Sequence, residues 1–147
     1  MGKTILCLFA PANSGKTSTI RLVDDILQSR GAKTLKVLFE DGDICKEYLY
    51  RNNRIGILSL GDPGSTQSNY LKQLANDECK IIVCTSRSKG STCDAVSDIV
   101  DNDDRRYWIS PLYEYDSSHP LIIDMHEANA QFIIKSILAA INNNNKI

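Results

Sequence analysis

A lysine and several hydroxyl side chains lie near the start of the chain, where an apolar segment changes to a helical pattern: LCLFAPANSGKTSTIRLV, residues 6–23. Within it, APANSGKT fits a looser form of the phosphate-loop pattern, with Ala10 in place of the first glycine and then, after four residues, Gly15-Lys16-Thr17. Gly15 allows the backbone to curl so that N–H groups point at phosphate oxygens. Lys16 would reach the β- and γ-phosphates, and the Thr17 hydroxyl would ligate Mg²⁺. The pattern predicts a nucleotide-binding loop.

The position of this loop argues against a chance match. It falls between a predicted strand, 3–10, and a predicted helix, 16–30, whose N-terminus adds positive potential toward phosphates. We expect ATP or another NTP, with Mg²⁺, as the cofactor. The chain lacks the Asn-Lys-x-Asp run of guanine-reading GTPases, which favours ATP. The predicted nucleotide contacts in the loop are Ala12, Asn13, Ser14, Gly15, Lys16, Thr17 and Ser18.

Two acidic residues, Asp41 and Asp43, follow the next apolar run, LKVLFE at 35–40. With the loop, they make the first hundred residues resemble P-loop NTPases of the kinase-GTPase group, nearest to small kinases of the adenylylsulfate kinase type. Those kinases also pass from phosphate loop and helix into a strand that ends in Asp-Gly-Asp. The resemblance implies that Asp41 or Asp43 orients or deprotonates the acceptor hydroxyl. Alternatively, Asp-Gly is a turn signal and Asp43 caps a following helix.

A third acidic residue, Asp62, comes just after the apolar run ILSL, in the segment ILSLGDPGS. A carboxylate after a buried strand near a phosphate loop is in the Walker B position, where it holds Mg²⁺ directly or through water. We therefore predict Thr17 and Asp62 as metal ligands. The alternative is a tight Asp-Pro-Gly turn before a helix. The same segment is similar to the γ-phosphate-sensing loops of switch GTPases and partitioning-type ATPases.

A basic loop follows the next buried run, in CTSRSKGST. Ligands of open α/β sheets bind outside the carboxyl ends of the strands, so Arg87 and Lys89 are expected to face phosphates. Arg87 would neutralise charge on the transferring phosphoryl group, and Lys89 would contact the nucleotide. A solvated loop with scattered charge is the alternative. The predicted catalytic set is Lys16, Asp41, Asp43 and Arg87.

Apolar, β-rich runs alternate with helical patterns along the chain, which predicts βαβ crossovers and a parallel sheet. The predicted strands are 3–10, 35–40, 54–60, 80–86 and 106–110, and the predicted helices are 16–30, about 43–51, 65–77, 91–101 and 126–142. We expect one three-layer α/β/α domain over 1–142, with a polar tail at 143–147. The sheet is predicted to be mostly parallel and five-stranded in the order 2-3-1-4-5, since the kinase resemblance places the Asp62 strand beside the phosphate-loop strand.

Composition restricts the partners and the compartment. The net charge is −1 and 42% of residues are hydrophobic, so no bulk field favours nucleic acid or an anionic membrane. No apolar run approaches the roughly 20 residues of a membrane span. The five cysteines lack metal-binding or redox spacing, and Cys7 and Cys84 lie in apolar runs typical of core thiols. These features predict a cytoplasmic protein.

Three classes of function fit these expectations. The first is a small kinase that moves the γ-phosphoryl group of ATP to an unknown small-molecule acceptor, and the Asp41/Asp43 pair favours it. The second is a nucleotide-hydrolysing switch, which could be a homodimer, that acts on a protein partner, and the GDPGS segment favours it. The third is a binding-only P-loop scaffold, which nothing in the sequence specifically favours.

Overall fold

A six-stranded mixed sheet with helices on both faces forms the centre of the structure, a computed structural model that describes residues 2–9, 15–60, 66–87, 91–112, 118 and 120–145. The strands are β1 (Thr4–Phe9), β2 (Lys33–Asp41), β3 (Asp43–Tyr50), β4 (Asn53–Leu58), β5 (Ile81–Ser86) and β6 (Arg105–Ile109). The helices are α1 (Lys16–Ser29), α2 (Gln67–Asn76), α3 (Ser91–Ser97) and α4 (Ile122–Asn145).

The strands lie in the order β2-β3-β4-β5-β1-β6. The neighbouring strands β4, β5, β1 and β6 are parallel, and Cys7 of β1 is in register with Cys84 of β5 and Trp108 of β6. From β2 to β4 it is antiparallel. The predicted α/β class is therefore right, but the mostly parallel five-stranded sheet in the order 2-3-1-4-5 is wrong.

The first source of this error is β3, a strand where the sequence pattern predicts a helix at about 43–51. Asp43–Tyr50 instead pairs with β2 and β4 as an interior strand. Its side chains alternate between two cores, with Ile44 and Tyr48 in one and Cys45 in the other. Because both faces are buried, the alternation of polarity that marks a half-exposed strand is absent.

The second source is the position of β5, which lies between β1 and β4. All six residues of β5 are buried, and it pairs in parallel with β1 on one side and with β4 on the other. The strand that leads to Asp62 is therefore not adjacent to the phosphate-loop strand. Asp62 itself lies outside the described residues, as do Ala12, Asn13, Ser14 and Lys89.

Apolar packing on the two faces of the sheet gives the three layers. On one face, α1 and α4 pack on the sheet through residues that include Ile20, Val23, Ile133 and Ile137. On the other face, α2 and α3 contribute Leu71, Leu74 and Val96. Cys7, Cys45, Cys79 and Cys84 are buried free thiols, as expected for core positions. Among the described residues, no helix is long and apolar enough to cross a membrane.

Candidate functional site

The start of α1, from Gly15 onward, is the part of the predicted phosphate loop that the structure describes. Gly15 is the N-cap residue, with φ of +83°, a left-handed conformation that residues with a side chain rarely adopt. Its carbonyl oxygen accepts a hydrogen bond from the Thr19 amide at 3.0 Å. The helix therefore begins at Lys16, with Lys16 and Thr17 half-buried and Ser18 exposed in its first turn.

Asp43, at the start of β3, is joined directly to this first turn. The Thr17 hydroxyl donates to Asp43 Oδ1 at 2.9 Å, and the Ser59 hydroxyl donates to the same oxygen at 2.8 Å. Ser59 Oγ also accepts from the Ile44 amide at 2.8 Å. Three separate parts of the chain thus meet at one carboxylate: the start of α1, the start of β3 and the residue after β4.

A buried polar chain continues from Ser59 across the sheet. Thr85 Oγ1, at the end of β5, donates to the Ser59 carbonyl at 3.0 Å. Gln67, the first residue of α2, donates through Nε2 to the Thr85 carbonyl. Ser59, Thr85 and Gln67 are not among the site residues predicted from the sequence. For Ser59 and Thr85 a signal was available, because polar residues at the carboxyl ends of apolar strands lie where α/β sheets bind their ligands, whereas Gln67 begins a helix and carried no such signal.

The β2–β3 hairpin, Lys33–Tyr50, is also held against α1 beyond this site. Arg21 Nη1 donates to the Gly42 carbonyl at 2.7 Å. Further along α1, the buried Asp24 accepts from Lys46 Nζ at 2.9 Å and from the Tyr48 hydroxyl. These contacts fix the position of the hairpin turn relative to the start of α1.

The electrostatics of this contact favour the charged forms of Asp24 and Lys46. Burial by itself would raise the pKa of Asp24, but hydrogen bonds from Tyr48, Lys46 and Gln28 hold it below its ordinary value. Burial would lower the pKa of Lys46, but Asp24 and Glu40 raise it overall. The hairpin and α1 are therefore joined by an ion pair that is ionised at neutral pH.

The Asp-Gly-Asp segment is a hairpin turn and not the end of a strand before a helix. Gly42 has φ of +72°, and Asp41 lies directly opposite Asp43 in the β2–β3 register. Asp41 is exposed, whereas Asp43 is half-buried beside Thr17. The interpretation of Asp-Gly as a turn was therefore right. No helix follows for Asp43 to cap, because Asp43 begins strand β3.

Arg87 lies at the same end of the sheet as the start of α1. It follows β5, whose last residue, Ser86, is in register with Phe9 at the end of β1. Arg87 is half-buried. The structure therefore brings Thr17 and Asp43 into contact and places Arg87 at the same end of the sheet, where the parallel strands β1 and β5 end.

A metal bound near Thr17 and Asp43 would need additional oxygens from a bound phosphate compound. Within the described part of the chain, no group of three or more His, Cys, Asp and Glu side chains could hold a metal ion. Thr17 and Asp43 supply a hydroxyl and a carboxylate. That set fits Mg²⁺, which usually takes one or two protein oxygens together with phosphates and water.

A groove of about 830 Å³ lies elsewhere, between β6 and the C-terminal half of α4. Its lining includes Arg105 and Tyr107 of β6 and Phe132 and Ser136 of α4. None of the predicted site residues lines it. It is therefore a separate surface.

No protein family model, curated protein or solved structure matches this chain. The similarity to small kinases thus stays a prediction that rests on the residues of the phosphate loop and the acidic turn. Of these two features, the acidic turn has a different structural setting from the one that the resemblance implied.

Proposed function

We propose that the protein binds a magnesium–nucleoside triphosphate, with ATP as the expected nucleotide, and transfers its γ-phosphoryl group. The observation that carries this proposal is the contact of the Thr17 hydroxyl with Asp43 at the first turn of α1, next to Gly15 and Lys16. A hydroxyl and a carboxylate beside a phosphate-loop lysine are the protein groups that a magnesium–triphosphate complex requires.

Asp43 takes the metal role in this proposal, and Thr17 is its partner. Asp43 Oδ1 accepts hydrogen bonds from both Thr17 and Ser59, and these two bonds hold the carboxylate next to the Thr17 hydroxyl. Magnesium, when bound, would neutralise charge on the β- and γ-phosphates. Thr17 and Asp43 would hold it there, and Lys16 would bind phosphate oxygens.

Transfer to a small-molecule acceptor, the kinase function, is favoured by Asp41. It is exposed at the turn, opposite the carboxylate that contacts Thr17. In this proposal Asp41 accepts the acceptor's proton, and Arg87 stabilises charge on the transferring group.

Hydrolysis coupled to a protein partner is the second candidate, and a different observation favours it. The hairpin whose turn carries Asp43 ends the sheet with β2, where Leu35 and Val37 are exposed. A nucleotide held at Thr17 and Asp43 would therefore contact the β2–β3 hairpin, whose edge strand β2 exposes apolar side chains that a protein partner could cover. In this alternative Asp41 has no catalytic role.

Substitution of the two aspartates tests the proposal. Asp43→Asn retains an oxygen that can accept from Thr17 and Ser59 but removes the charge. We expect it to weaken magnesium-dependent ATP binding at least about tenfold, the effect of losing one charge-assisted contact. Isothermal titration calorimetry with and without Mg²⁺ measures this.

Asp41→Asn is the matched control, because it makes the same Asp-to-Asn change two residues away, at an exposed position. It should leave Mg–ATP binding unchanged. Under the kinase function it should reduce transfer to the acceptor by about a hundredfold, a general-base effect. Equal Mg–ATP affinity in wild type and Asp43→Asn would contradict the assignment of Asp43 to the metal.

A further inference from the structure

The imidazole of His126, in the N-terminal part of α4, lies against Gly15. A side-chain carbon built on Gly15 would come within 2.2 Å of His126 Nε2 and 2.7 Å of its Cδ2. Contacts this short cannot form, so the ring occupies space that only a glycine at position 15 leaves open. The ring atom closest to that built position is Nε2, which can donate a hydrogen bond.

The position of His126 continues the buried stripe of α4. Ala130, Ile134, Ile137 and Ile141 are buried against the sheet and α1 at helical spacing, and His126 is one turn before Ala130. A position chosen for packing alone at the end of such a stripe would favour an apolar residue. Here the stripe ends in an imidazole directly over the start of α1.

We propose that His126 is a phosphate-binding residue, which donates a hydrogen bond from its ring to a phosphate oxygen of the nucleotide bound at Gly15–Thr17. This inference rests on the proposed nucleotide binding and adds a contact from the C-terminal helix. The packing of α4 on α1 holds the ring in place before the nucleotide arrives, which reduces the entropy lost on binding. The ligand class is a polyphosphate, and the nucleoside makes no contribution at this position.

Chemical modification tests the contact in the folded protein. The chain has two histidines, His119 and His126, so a His119→Gln variant leaves one imidazole for diethyl pyrocarbonate to modify. Mass spectrometry follows the rate. With Mg–ATP at ten times its Kd, we expect modification to slow about tenfold, in proportion to the unoccupied fraction. Mg–tripolyphosphate should protect His126 in the same way, and adenosine should not.

Two substitutions separate phosphate binding from packing. His126→Gln can still donate a hydrogen bond, whereas His126→Phe retains a ring but no donor. We expect the His126→Phe variant to bind Mg–ATP about tenfold more weakly, the loss of one hydrogen bond to a charged group, and the His126→Gln variant to retain most of the affinity. Calorimetry measures affinity, and thermal denaturation measures stability. Wild-type affinity in His126→Phe would overturn the inference.

The outcomes separate this inference from the proposed function. If the wild-type protein binds neither Mg–ATP nor Mg–GTP, both are overturned. If it binds Mg–ATP and Lys16→Ala abolishes that binding, but Mg–ATP does not slow modification of His126, only the role of His126 is overturned. Protection by adenosine alone would also overturn it, because the contact would then be to the nucleoside.

Discussion

Gly15 combines two constraints that differ in physical origin. Its φ of +83° is strained for any residue with a side chain, and the His126 ring fills the space that a side chain would enter. Gly31 has a similar φ of +91°, but a side chain there would have no neighbour within 4 Å. The pair therefore allows backbone strain to be measured apart from contact with His126.

Alanine at the two positions should give different costs. Gly31→Ala should lose about 1–2 kcal/mol from left-handed backbone strain. Gly15→Ala should lose about 2–4 kcal/mol, because overpacking against His126 adds to the same strain. It should also weaken Mg–ATP binding, while Gly31→Ala should not. Urea denaturation and calorimetry measure both effects. Equal losses of stability would mean that the His126 contact relaxes without cost.

At the scale of elements, three side-chain contacts join the β2–β3 hairpin to α1. Between them lie the contact of Thr17 with Asp43, the contact of Arg21 with Gly42, and the buried ion pair of Asp24 with Lys46. Removing one partner of a buried ion pair destabilises a protein because the other charge loses its compensation. The position of Asp43 beside Thr17 therefore depends on contacts some turns away.

Acid should weaken the contact of the hairpin with α1 through Asp24. Because the pKa of Asp24 is lower in the folded protein, its contribution to stability is present above the unfolded pKa of about 3.9 and is lost as pH falls through the folded pKa. At pH 7, Asp24→Asn should cost about 3 kcal/mol. The difference from wild type should shrink below about pH 4. Denaturant titrations at several pH values measure it.

Asp25→Asn serves as the control for this series, since Asp25 is the adjacent carboxylate on α1 and is exposed. It should change stability by less than about 0.5 kcal/mol, as surface substitutions usually do. A constant difference between wild type and Asp24→Asn from neutral to strongly acidic pH would contradict the ionised pair.

At the scale of the whole molecule, the candidate site joins segments from both ends of the chain. The start of α1, the hairpin turn, the residue after β4 and the N-terminal part of α4 converge there. A ligand that binds across these segments stabilises the folded state of the entire molecule by mass action.

Mg–ATP should therefore raise the melting temperature. At about a hundred times its Kd the stabilisation is about 2.7 kcal/mol, which corresponds to about 5–11 °C for a chain of this size. Differential scanning fluorimetry measures the shift. Lys16→Ala should melt near the wild-type temperature without ligand and show no shift with it. An equal shift in Lys16→Ala would place the nucleotide elsewhere.

The sequence by itself determined the features that depend on neighbouring residues. It located a strand followed by a glycine turn and a helix beginning at Lys16, and five of the six strands have counterparts among the predicted runs. These features were predictable because hydrophobic periodicity and the conformational preference of glycine act over a few residues. The Asp-Gly turn could be predicted for the same reason, but the strand β3 that follows it could not.

Only the tertiary structure decided how these parts combine. Asp43–Tyr50 became a strand because β2 and β4 offered partners for its backbone on both sides, which outweighed its local preference. The insertion of β5 between β1 and β4, the contact of Asp43 with Thr17 and that of His126 with Gly15 all join residues distant in sequence. Their free energies depend on the register and packing of the complete sheet, which no short stretch of sequence contains.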